Sequence, residues 1–134
     1  MYQMNPQIEF LYSFEDAALY RERCDYIFNK YAPKNAEETS LVSHIAIATW
    51  KRKRAAETMH SVMRQVDAEK QKEQPDYGLI ARLARSMVRF QREYRSQQKA
   101  IAGCRKALWM LRVLGKSTDL ATIEEEMTNV RLAA

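Results

Sequence analysis

Between Pro33 and Pro75 the chain runs for about forty residues with neither a proline nor a glycine. A strand of ordinary length ends after five or six residues, so a sheet protein would need several turns in that distance and the residues that make them. The stretch opens on Asn35-Ala36-Glu37-Glu38, a cap-like start, and is rich in residues that lose little in a helix. A second stretch of nearly the same length follows from Gly78 to Gly115, with Gly103 its only interior weak point. Two such stretches around one proline predict two long helices joined by a tight turn, each roughly 55 Å long.

The remainder of the sequence fits that reading. Three glycines and three prolines in 134 residues are too few for a sandwich or barrel, and the length suits a single domain. A short first helix is expected from near Ser13, with Asp16 in its first turn. It carries Ala17, Tyr20, Cys24, Ile27 and Tyr31 at helical spacing before Pro33 stops it. A short fourth helix is expected after Ser117-Thr118-Asp119, with Glu124, Glu125 and Glu126 near its positive end. The expected fold is all-α, a helical bundle built on a long antiparallel helical hairpin with short first and last helices.

Antiparallel pairing about Pro75 sets residues near 41–50 against those near 100–110, and both segments are apolar around most of their circumference. The first and last helices are expected to cover that end. From 51 to 99 the apolar stripe is narrower, with Met59, Met63 and Val66 facing Leu83, Met87, Phe90 and Tyr94. The single domain, 1–134, therefore divides into a body, 9–50 and 100–134, and a projecting arm, 51–99.

Charge follows the same division. The arm holds thirteen Lys and Arg less six Asp and Glu, a net +7; the body holds nine less eleven, a net −2. On the second long helix Arg82, Arg85, Arg89, Arg92, Arg95 and Lys99 recur at three and four residues, opposite the apolar stripe, and only Glu93 interrupts them. A solvated helix face ordinarily mixes signs; a one-signed arginine row repels itself, and phosphate is the usual partner of guanidinium.

A further basic cluster, Trp50-Lys51-Arg52-Lys53-Arg54, falls on the first long helix. Counted at 100° per residue from Leu41, the apolar stripe takes in Ile45, Ala48, Arg52, Ala56, Met59 and Met63, while Lys51 and Arg54 point outward. Arg52 thus sits on an apolar face, where its head must be paired or reach water. Trp50, Arg52 and Trp109 are candidates for an interface, with covering the first helix as the alternative for Trp50.

Catalytic and metal motifs are missing. The sequence has no glycine-rich phosphate loop, CxxC, HExxH or nucleophile elbow. His44 and His60 fall on different sectors of one helix, and Glu57 with His60 supplies one Glu-x-x-His pair where a di-metal bundle needs two. Cys24 and Cys104 read as plain buried thiols. No apolar run is long enough to span a bilayer, and the start MYQMNPQIEF is not a secretory signal. A cytoplasmic, non-enzymatic protein with no cofactor and no metal is expected.

The stretch Glu37 to Arg54, EETSLVSHIAIATWKRKR, followed by Arg89-Phe90-Gln91-Arg92-Glu93-Tyr94 and a helix through Leu111, resembles a broad group of uncharacterised bacterial proteins. Their helix has the form Glu-x-x-Leu-Val-x-x-Ile-Ala-x-x-x-Trp followed by basic residues, and the resemblance covers roughly residues 9–114. It implies an all-helical intracellular protein and no particular activity. Two departures stand out: the basic N-terminal segment with glycine and proline that the group often carries is missing, and Arg52 stands where the group has Leu.

Two functions remain open. One is an accessory protein that binds nucleic-acid backbone, DNA or RNA, through Lys51, Arg54, Arg82, Arg85, Arg89, Arg92, Arg95 and Lys99, as an oligomer or beside a partner enzyme. The other is a structural protein that self-assembles by docking its basic arm on an acidic protein surface.

Overall fold

The structure, a computed structural model, describes residues 15–114. It is all-helical, with no strand among the described residues: α1 spans Ala17–Tyr31, α2 Ala36–Lys70 and α3 Tyr77–Leu114. The expected fourth helix, Ser13 and Glu124 to Glu126 lie outside the described residues.

Each boundary has a local cause. The N-cap of α1 is Asp16, whose carboxylate accepts from the amides of Ala18 at 2.9 Å and Leu19 at 3.1 Å. The helix ends on Ala32 in the left-handed region, φ 45°, with its amide donating to the Phe28 carbonyl, and Pro33 prevents continuation. Asn35 caps α2 by accepting the Glu38 amide at 2.9 Å and donating to the Glu38 carboxylate at 3.2 Å.

Expected to continue to Pro75, α2 stops five residues earlier, at Lys70. The residue before a proline avoids the helical region, and the chain needs room to turn. Glu69 organises that turn: its carboxylate accepts the Asp76 amide at 2.9 Å and pairs with Lys72 at 2.7 Å. Asp76 in turn accepts the Leu79 amide at 3.0 Å in the first turn of α3.

The two long helices pack together. Glu38, at the start of α2, bonds Arg112 near the end of α3, and Glu69, at the end of α2, bonds Asp76 just before α3 begins. Along α2 the positions 41, 45, 48, 52, 55, 59, 62, 66 and 69 are all buried or half-buried, as are 80, 83, 87, 90, 94, 97, 101, 104, 108 and 111 along α3. Alternate steps of three and four are a heptad seam with a period of 3.5 residues. Counting at 3.6 residues per turn drifts about 20° per heptad. That drift explains one correction: Met63, expected on the seam, is 53 % exposed, and Val62 is buried in its place.

The largest core lies at one end, where α1 covers the pair. Tyr20, Cys24, Ile27 and Phe28 of α1 pack with Val42, Ile45, Ala46 and Trp50 of α2 and with Ile101 and Leu108 of α3. Toward the turn burial thins: on α3 nothing before Ile101 is buried, and on α2 beyond Trp50 only Ala55, Val62 and Glu69 are. Burial pushes the Cys24 thiol up, and burial together with its bond to Cys24 pushes the Tyr20 phenol up, so both stay neutral as core residues do. Cys104 is half-buried against the same core.

Candidate functional site

A helix of 38 residues with one apolar seam has most of its circumference to spare, and α3 fills it with cations. Arg82, Arg85, Arg89, Arg92, Arg95 and Lys99 are all exposed. At 100° per residue they fall in a sector of about 140° whose centre lies opposite the seam. They extend for roughly 25 Å along the axis at 1.5 Å per residue. Ala81, Ala84 and Val88 lie among them, and Val88 is 47 % exposed, so little bulk separates the guanidinium groups.

None of the six has a carboxylate partner among the described residues; the ion pairs there are Lys53 with Glu57, Arg54 with Glu15, Lys72 with Glu69 and Arg112 with Glu38. Glu93, the acid in the row, accepts from Gln97 at 2.8 Å. The Arg89 guanidinium stands 5.0 Å from the centre of the Phe90 ring, which holds it against the helix surface. Lys106, also exposed, prolongs the same sector toward the C-terminal end of α3, and the three-four spacing from Lys99 makes it legible in the sequence.

The WKRKR cluster divides differently from expectation. Arg54 does not point outward: its guanidinium is bonded to Glu15, a carboxylate whose side chain is 9 % exposed, and Trp50 Nε1 donates to the same carboxylate at 2.8 Å. Lys51 is half-buried and lines a cleft with Glu15, Asp16, Glu57 and Glu93. Arg54 is thus paired within the chain, and Lys51 lines a cleft of mixed charge. Helical geometry places 50 and 54 on one face, so Glu15, which meets Trp50, meets Arg54 too.

Trp50 is 6 % exposed and stands edge-on to Tyr20 with ring centres 5.3 Å apart. It is an internal anchor between α1 and α2. Trp109 is 46 % exposed. Arg52 occupies a seam position, half-buried, with no ion pair among the described residues.

Sequence reasoning missed the polar contacts that join the three helices. Arg112 bonds Glu38 and the Tyr31 carbonyl, and Arg105 Nε donates to the Tyr31 hydroxyl at 2.5 Å. Arg105 and Arg112 are seven residues apart, so they share one flank of the α3 seam, and that spacing was the available signal.

No group of three or more His, Cys, Asp or Glu residues suited to a metal ion occurs among the described residues, and His44 and His60 are both exposed. No helix among them is long and apolar enough to cross a membrane. Comparison of the chain with protein-family models, with curated proteins and with solved structures finds no match.

Proposed function

We propose that this chain is a non-catalytic accessory protein that binds nucleic-acid backbone through the outer face of α3. The α2 and α3 helices act as an antiparallel hairpin whose turn-side half, 51–99, projects from the body as a basic arm. One observation carries the reading: six exposed cations occupy a single sector of α3 with no carboxylate paired to any of them among the described residues. Such a face has no acid of its own paired to it among the described residues, and a polyphosphate backbone supplies a row of the opposite charge.

The contacts of the row are to backbone phosphate and carry no sequence preference. The test is a salt titration of duplex binding. With five or six phosphate contacts the log-log slope is about −5, and R82Q/R85Q/R89Q/R92Q flattens it by about 3 to 4 without changing helix content. An unchanged slope in that variant, or no binding at about 50 mM salt, overturns the reading.

Assembly through the body is the competing reading, and the exposure of Trp109 and of Leu114, 39 % exposed, favours it. In that case light scattering shows a dimer or larger species that Trp109→Ala dissociates, and R82Q/R85Q/R89Q/R92Q leaves the mass unchanged.

A further inference from the structure

Where α1 crosses the long pair, a cleft of about 480 Å³ opens between the three helices. Among the described residues its lining includes five cations, Arg23, Lys30, Arg52, Lys53 and Arg105, and no carboxylate. The cleft on the other side of Trp50 gives the contrast: among the described residues its lining holds Lys51, Lys53, Arg54 and Arg89 with Glu15, Asp16, Glu57 and Glu93, four of each sign. That lining is balanced in sign, whereas in the first cleft Lys53 alone has an ion pair among the described residues, with Glu57, and Arg23, Lys30, Arg52 and Arg105 have none.

Aromatic rings alternate with those cations. The Lys53 ammonium is 4.8 Å from the centre of the Trp50 ring, and Lys30 and Arg105 stand 5.6 Å and 5.9 Å from that of Tyr31. Tyr94 closes the α3 side, and Tyr26 leaves its ring 66 % exposed at the α1 side. Arg105 commits Nε to the Tyr31 hydroxyl, which fixes the guanidinium plane and leaves its two terminal amino groups without a partner among the described residues. Arg52 brings a charge to a seam position where apolar residues are the rule, again with no ion pair among the described residues. Holding cations this close is unfavourable unless an anion enters, and an apolar-aromatic wall beside them recognises a planar ring.

We propose that this cleft binds a nucleotide unit, its phosphate held by Arg52 and Arg105 and its base against the exposed tyrosine rings, either as a free nucleotide or as an unstacked unit of a single strand. The site is separate from the outer face of α3: Arg52 and Tyr94 lie on the seam, and the arginine row lies opposite it. The proposal does not rest on duplex binding.

Calorimetry at low salt with AMP, adenosine, inorganic phosphate and a single strand of about twelve adenylates tests it. AMP is expected to bind, with adenosine and phosphate each weaker by about tenfold or more, and Arg52→Gln and Arg105→Gln are each expected to cost about tenfold. Arg105 is exposed, so its replacement leaves the core intact. A strand that binds more tightly than AMP and competes with it identifies nucleic acid as the source; equal or weaker binding identifies the free nucleotide. The variant R82Q/R85Q/R89Q/R92Q is expected to keep AMP binding, which separates this site from the α3 face. No binding of AMP or the strand, phosphate binding as tightly as AMP, or full binding by Arg105→Gln overturns the proposal.

Discussion

Arg112 Nε donates to Glu38 Oε1 at 2.8 Å across 74 residues of sequence, and the same guanidinium also bonds the main-chain carbonyl of Tyr31. One side chain of α3 thereby holds the first turn of α2 and the last turn of α1. Both ends suit it, because a helix C-terminus presents carbonyls without partners and Glu38 belongs to the cap of α2. Glu38 is 5 % exposed, so losing its partner leaves a desolvated carboxylate.

Arg112→Leu is therefore expected to cost about 2 to 3 kcal/mol, read by urea unfolding. Adding Glu38→Gln to that variant should recover part of the loss, since the stranded charge is then gone. Equal stability of the native chain and Arg112→Leu would show that the contact contributes nothing.

Arg54 now has a structural role, where the residue pattern alone offered it as a phosphate contact. With its guanidinium removed, the Glu15 carboxylate keeps the Trp50 indole as a donor and loses the Arg54 charge. Arg54→Gln should lower stability by about 1 to 3 kcal/mol and leave duplex affinity within about twofold of the native value. The opposite pattern, intact stability with lost affinity, would return Arg54 to the binding surface.

The long helices were legible because, Gly103 apart, the glycines and prolines among the described residues fall near helix ends, and the arginine row was legible because its period is that of a helix. Trp50, Arg54 and Met63 were not. Their placement depends on where α1 crosses and on the 3.5-residue winding of α2 around α3, and a wheel drawn at 3.6 residues per turn contains neither. The all-cation cleft was hidden for a related reason: Arg23 and Lys30 are ordinary surface residues of α1 until packing brings them beside Arg52 and Arg105.

Ala32 ends α1 at φ 45°, where a Cβ crowds its own backbone. Glycine there relieves the crowding and keeps the amide bond to Phe28, at the cost of a more flexible unfolded chain. Ala32→Gly is expected to stabilise the protein by about 0.5 to 1 kcal/mol, seen as a higher thermal midpoint. A lower midpoint would mean that the left-handed cap is not adopted.

Lys72, and then the Asp76 amide, hold the Glu69 carboxyl below the usual carboxylate range. A depressed carboxyl stabilises the fold above its unfolded pKa, roughly 4.3, and the stabilisation is lost as pH falls through the folded value. Gln at this position keeps an acceptor for the Asp76 amide and loses the charge that pairs with Lys72. Glu69→Gln should thus be less stable than the native chain at pH 7, with the gap closing below about pH 4. A gap independent of pH would assign the effect to shape alone.

Arg52 completes the WKRKR cluster, and its position sets two properties against each other. On the seam, a leucine would pack where an arginine stem now lies, and fully burying a leucine is worth about 1.5 to 3 kcal/mol. The site is only half-buried, so Arg52→Leu should gain about 1 kcal/mol, and it also removes a cation from a cluster that repels itself. The same change should weaken AMP binding in the cleft by about tenfold or more while duplex binding by α3 keeps its salt slope. A residue retained against stability is what a binding site requires, and Arg52→Leu would show that sacrifice directly as a higher unfolding midpoint. If the substitution lowers the midpoint instead, the guanidinium has a structural partner in the folded chain, and the cleft loses the residue on which its charge argument most depends.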